Sequence, residues 1–162
     1  MKKLITFGVI LLFLGSSIPT LAFSEEHTRP LSHTLYVGGT GPGNFTKIQD
    51  AINASVDGDT VFVYSGYYPE CLLIKKSIRV FGENRDTTVV GVNKSLACLV
   101  QILADNVTFK GFAISPGGSA VMTGINVLGL QCLVEGVSVE SCDFGIIVGS
   151  PCDSSCICVQ VF

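Results

Sequence analysis

Two stretches of this chain repeat each other in register, and that repeat restricts the fold more than any other feature. Asn106–Ser115 (NVTFKGFAIS) lines up with Gln131–Glu140 (QCLVEGVSVE) at an offset of 25, placing Gly111 on Gly136 and Ile114 on Val139. Gly124–Val127 (GINV) lines up with Gly145–Val148 (GIIV) at an offset of 21, and Ser155–Phe162 opens a further copy. Periods of this length, built from two or three short strands, mark a parallel β-solenoid, in which each coil buries its apolar side only by stacking on the next. A β-sandwich also gives short strands, but not repeats in register. The strands expected here are Leu72–Ile74, Ile78–Phe81, Val89–Val92, Leu96–Leu103, Val107–Ile114, Gly124–Leu128, Cys132–Val139, Gly145–Val148 and Cys156–Phe162. None is followed by the helix that a βαβ crossover needs, and no Asn-Gly or Asp-Gly hairpin joins them. The expected architecture is all-β, a right-handed parallel β-helix of about five to six coils.

One helix interrupts this pattern. After a strand at Leu35-Tyr36-Val37 come Gly38, Gly39, Gly41 and Gly43, with Pro42 among them. A phosphate-cradling loop would follow its last glycine with Lys and Ser or Thr, whereas Gly43 precedes Asn44-Phe45-Thr46, so the loop is read as structural. Thr46-Lys47-Ile48-Gln49 matches a capping box. Phe45, Ile48, Ala51 and Ile52 then recur at helical spacing, while Lys47, Gln49, Asp50 and Asn53 face away. A helix over Thr46–Ala54 is too short to hold alone and must lie on something apolar. It is expected to close the N-terminal end of the solenoid. Asp57-Gly58-Asp59 turns the chain into a strand at Thr60–Tyr64.

The 162 residues suit one domain, and 48% apolar content with 18 Gly and no Trp excludes a disordered chain. A net charge of −3 and ten unclustered Lys and Arg give no footprint for nucleic acid. Residues 1–24 read as a signal peptide: Lys2 and Lys3, an apolar run over Leu4–Leu14, breakers, then a cleavage site at Ala22. The alternative is a retained membrane anchor, since Leu4–Ser24 carries no charge. Both imply export, to the cell surface or beyond. Residues 25–34 are read as a linker and 35–162 as the β-helix domain. Sequons at Asn44, Asn53, Asn93 and Asn106 are then candidate N-glycosylation sites. Export also permits disulfides among the seven Cys, an odd number. Cys152, Cys156 and Cys158 suggest soft-metal ligation, but no His lies nearby and paired C-x₂-C spacing is missing. Cys98, Cys132 and Cys158 are instead read as small buried hydrophobes, and no metal or other cofactor is expected.

The run Tyr36–Asn53, with Asp57–Val63, Gly66–Tyr68, Ile78–Gly82 and Thr87–Val90, resembles the opening of right-handed parallel β-helix proteins. The nearest resemblance is to secreted archaeal surface proteins of the NosD-like, pectin-lyase-like superfamily, and it covers nearly the whole mature chain. Pectin methylesterases begin with a similar Gly-Asn-Phe-Thr-x-Ile-Gln-x-Ala-Ile stretch. Their chemistry implies a Gln for the oxyanion hole, one Asp as nucleophile, another as acid/base, and an Arg. Here no Gln-Asp-Thr-Leu-like segment exists and no Arg follows Arg85. Asp143-Phe144-Gly145 is only loosely similar to the family's Asp-Phe-Ile-Phe-Gly, so Asp143 is read as a residue of a coil corner. Glu135 and Glu140 are read as a solvated face, and no catalytic residue is assigned.

Tyr67 and Tyr68, near Tyr64, are the candidate sugar-stacking residues; the alternative is that Tyr64 packs inside and Gly66-Tyr67-Tyr68 forms a turn. Val159–Phe162 ends in a strand without a cap, which predicts a continuing chain or end-to-end self-association. The function expected is a non-catalytic secreted or surface module that contacts polysaccharide or cell-envelope glycan. Two alternatives stand beside it: a carbohydrate-active enzyme, pectinesterase- or lyase-like, with active coils beyond Phe162, and copper handling as the NosD-like resemblance implies.

Overall fold

The computed structural model describes residues 31–92, 96–117 and 121–149. The chain enters through β1 (Thr34–Val37), passes the glycine loop, and forms α1 (Ile48–Ala54), the single helix among the described residues, before winding into coils. The first coil is β2 (Thr60–Val63), β3 (Gly66–Tyr68) and β4 (Leu72–Ile74). The second is β5 (Arg79–Gly82), β6 (Thr88–Val90) and β7 (Leu96–Ile102). The third is β8 (Thr108–Lys110), β9 (Ala113–Ile114) and β10 (Val121–Val127), and the fourth β11 (Leu133–Glu135), β12 (Ser138–Val139) and β13 (Cys142–Val148). Like strands stack into three parallel sheets: β1-β2-β5-β8-β11, β3-β6-β9-β12 and β4-β7-β10-β13. The expected right-handed parallel β-helix is the observed architecture, with four coils and a leading rung among the described residues. The strand expected at Cys156–Phe162 lies outside them.

The repeats read from sequence are the pairing registers. Leu133 lies beside Thr108 and Ser138 beside Ala113, which is the offset of 25. Ile146 lies beside Ile125 and Val148 beside Val127, which is the offset of 21. The shorter offset arises at one corner, where Glu140 and Ser141 alone join β12 to β13, against residues 115–120 between β9 and β10.

Three local expectations are corrected. Val107–Ile114 and Cys132–Val139 are each two strands, not one, bent at Gly111-Phe112 and Gly136-Val137. Gly111 (φ +80°) and Gly136 (φ +56°) adopt the left-handed region that a side chain would resist. A Cβ on Gly82 would also collide with the Gly111 carbonyl, so successive coils come together there through bare backbone. The bend turns Phe112 inward to stack on Phe109, with ring centroids 4.4 Å apart and planes 14° from parallel. The second correction is Gly66–Tyr68, a strand rather than a turn, paired with β6. The third is Thr34, placed in the linker by sequence but the first residue of β1.

Strand alternation fills the channel. Val61, Val80, Phe109 and Val134 stack inward from one sheet, Tyr68, Val90 and Ile114 from the second, and Ile74, Ile102 and Val127 from the third. Across the N-terminal end lies α1, with Ile48 and Ala51 at 0% exposure and Ile52 at 2%. The helix is the expected lid, but not by the expected capping box. Lys47, not Thr46, is the N-cap, and its side chain caps nothing. Glu70 of the first coil accepts hydrogen bonds from the backbone N–H of Ile48 (2.8 Å) and Gln49 (2.9 Å) instead. The Gln49 amide clasps Leu73, donating to its carbonyl (3.2 Å) and accepting from its N–H (2.8 Å). At the other end Lys76 Nζ donates to the carbonyls of Ile52, Asn53 and Ser55 at 3.2, 2.7 and 2.6 Å. An acid at the helix start and a base at its end complement the helix dipole. Both come from the coil that the helix covers.

Candidate carbohydrate-binding face

The five-stranded sheet turns one residue column to solvent that the sequence reading did not single out. Register places Tyr36 beside Phe62, Phe62 beside Phe81, Phe81 beside Lys110 and Lys110 beside Glu135. Each is flanked by inward residues, as in Leu35-Tyr36-Val37, Val61-Phe62-Val63 and Val80-Phe81-Gly82. Tyr36 is 43% exposed, and Phe62, Phe81 and Tyr64 are half-buried. Tyr36 meets Phe62 edge-on (6.0 Å, 62°) and lies nearly parallel to Tyr64 (6.2 Å, 25°), while Phe62 and Tyr64 meet at 5.2 Å and 81°. Mutual contact fixes these rings into a preorganised apolar surface. The glycine loop makes room for it, since a Cβ on Gly39 would sit 2.8 Å from the Tyr64 ring. Gly39 thus has a packing task in that loop.

Beside the strip lies a cleft of about 490 Å³ bounded by Phe81, Glu83, Asn84, Arg85, Lys110 and Gly136. Coil lengths create it. Residues 83–87 bulge between β5 and β6, whereas the third and fourth coils turn at the same corner within two residues. Lys110 and Glu135 close the column with an exposed ion pair of 3.0 Å, which adds polarity more than stability.

Tyr67 and Tyr68 do not form the paired platform that sequence suggested. Adjacent residues on a strand point to opposite sides. Tyr67 is 52% exposed on a different sheet, while Tyr68 is 7% exposed, its hydroxyl donating to the Tyr64 carbonyl at 2.7 Å. Burial pushes the Tyr68 phenol up from its ordinary pKa. Tyr64 lies on the outer face rather than inside. The aligned triplets with a central aromatic are the sequence signal for the outward column.

Most acidic side chains near coil corners hold backbone rather than face a substrate. Asp57 accepts from Ser77 N–H (2.9 Å), Glu83 from Ser65 N–H (2.8 Å) and Asp105 from Leu130 N–H (2.7 Å). Glu135 is paired with Lys110, so it does not join Glu140 in an acid pair. Asp143 is exposed within β13 rather than at a corner, because the corner comes earlier, at Ser141 (φ +56°). Asp59, 3% exposed, accepts from Val56 N–H (2.9 Å) and His33 N–H (2.8 Å). The Val56 bond first, then the His33 bond and charge, hold its carboxyl below the ordinary range against the opposing effect of burial. A depressed folded-state pKa supplies stability above the unfolded value of about 3.9, lost as pH falls through the folded value. Melting temperature should therefore drop as pH is lowered from 5 towards 2, and Asp59→Asn should flatten that part of the profile.

Burial pushes up the thiols of Cys98, Cys132 and Cys142, with Cys132 fully inside and the other two half-buried. Among the described residues no three His, Cys, Asp or Glu side chains are grouped to hold a metal. Cys152, Cys156, Cys158, Ala22, Asn93 and the signal segment lie outside the described residues. None of the described helices is long and apolar enough to cross a membrane.

No family model matches the chain. Among curated proteins, a cell surface glycoprotein of Methanothermus fervidus is 32% identical over 79 residues, covering 48% of this chain and 13% of that protein. A probable pectinesterase/pectinesterase inhibitor of Arabidopsis thaliana is 30% identical over 105 residues, covering 58% of this chain and 18% of that protein. The chain thus spans less than a fifth of the length of either relative. Two crystal structures of the pectin methylesterase from Aspergillus niger align over 72% of this chain and 57% of theirs, with 17% and 19% identity and TM-scores of 0.38 and 0.37.

Proposed function

We propose that this β-helix is an extracellular module that binds polysaccharide along the outer face of its five-stranded sheet. The observation carrying this reading is the column Tyr36, Phe62 and Phe81, braced by Tyr64 and continued by Lys110 and Glu135. Rungs recur at about 4.8 Å along the solenoid axis, a spacing comparable to the sugar repeat of an extended glycan. Successive rings can each meet one sugar face while the charged pair meets hydroxyls. The names of the two curated relatives, a surface glycoprotein and a pectinesterase, support the extracellular and carbohydrate setting. Commitment of Asp57, Asp59, Glu70, Glu83 and Asp105 to backbone hydrogen bonds supports a binding role over a hydrolytic one.

An oligosaccharide array probed with the secreted protein tests this. Tyr36→Ala with Phe62→Ala should weaken the strongest signal more than tenfold, as loss of a central aromatic contact does. Tyr67→Ala should leave it unchanged. Binding indifferent to the strip removes the reading. A second reading, part of a pectinesterase-like enzyme, draws on the Arabidopsis relative. Methanol release from methyl-esterified pectin by this chain would favour it.

A further inference from the structure

We infer that Asn106 is an N-glycan acceptor on the folded surface and that Asn44, which bears an equally good sequon, is closed to modification. Asn106 is exposed at the corner before β8, and among the described residues its side-chain amide makes no hydrogen bond. Its backbone is firmly placed, since its N–H donates to the Leu130 carbonyl at 2.9 Å. It borders an open groove of about 740 Å³ with Ser32, Asp57, Ser77 and Arg79, which leaves room for the first sugars.

Asn44 differs at every point. It is half-buried, its Nδ2 donates to the Gly38 carbonyl at 2.6 Å, and its amide lies tight over Gly41. A sugar on that nitrogen would displace the contact that closes the glycine loop. Asn53 is intermediate: its Oδ1 accepts from Gln49 (3.0 Å) and its carbonyl from Lys76 (2.7 Å) at the end of α1.

The fold alone does not call for Asn-Val-Thr at residues 106–108. Asn106 has φ +56°, a conformation that favours Asn, yet Gln131 fills the equivalent corner one coil later at φ +54°. Thr108 faces outward beside Arg79 and Leu133, positions with no hydroxyl. A glycan at this corner also flanks the aromatic column rather than covering it, since Thr108 and Lys110 lie at opposite ends of β8.

The chemistry is transfer of an oligosaccharide from a lipid-phosphate carrier. The Asn106 Nδ2–C1 bond forms, and the C1–O bond to the carrier phosphate breaks with its electron pair leaving on the phosphate. One Nδ2 proton passes to a transferase base.

The test is incubation of the purified, folded and unglycosylated protein with an oligosaccharyltransferase and its lipid-linked oligosaccharide, followed by site mapping of its peptides. The Asn106 peptide should carry hexosamine and the Asn44 peptide should be bare. Asn106→Gln should remove one glycan mass from the intact protein without moving its melting temperature. A bare Asn106 peptide, or Asn44 occupied as fully as Asn106, overturns the inference.

Discussion

Ile48→Asp should open the N-terminal end of the solenoid and destabilise the domain by at least about 4 kcal/mol, combining loss of a buried aliphatic side chain with burial of an unpaired carboxylate. Ile48 is completely buried, and among the described residues no cation is bonded at that face of α1, because Lys76 is spent on the carbonyls at the helix end. The carboxylate would therefore ionise only by lifting the helix off β1, β2 and β4, which carry the buried Val37, Val61 and Ile74. Thermal melting by circular dichroism, with limited proteolysis at the glycine loop, checks this. A melting temperature equal to that of the wild type would remove the lid role.

Phe109→Ala should cost about 3–5 kcal/mol, as for aromatic truncation in a packed core. Phe109 stands midway along the channel, between Val80 and Val134 in register and stacked on Phe112. In a solenoid each coil is stabilised through its neighbours, so a cavity in the third coil weakens both interfaces at once. Urea unfolding should show the loss, with a broader transition if the coils uncouple. Thr108→Ala, one residue away on the outer face, should change stability by less than about 0.5 kcal/mol. Equal effects at the two positions would contradict the inward–outward assignment.

The axial order of the molecule was legible in the sequence because a parallel solenoid pairs like with like. Aligning Gly111 with Gly136 aligns one corner with the next, and the two offsets emerged directly as strand registers. What happens within a coil was less legible. A bend at Gly111 leaves the apolar pattern of Val107–Ile114 unbroken, since Phe109 and Phe112 both turn inward on either side of it. Capping departs from the local pattern for a different reason. Thr46 and Gln49 satisfy a local pattern, but Glu70 and Lys76 reach the helix from over twenty residues away, and their charges are better placed. Tyr67 and Tyr68 attracted notice by adjacency, which on a strand separates side chains. Tyr36, Phe62 and Phe81 share a face because unequal coil lengths happen to bring them into register.

The chain has no tryptophan, so one introduced ring reports on one face without background. Phe62→Trp places that reporter in the column and Tyr67→Trp places it on another sheet. Titrating each with the oligosaccharide that binds most strongly on the array tests the binding face directly. The account predicts a saturable emission change for Phe62→Trp that is absent for Tyr67→Trp. A response from Tyr67→Trp with a silent Phe62→Trp would contradict it.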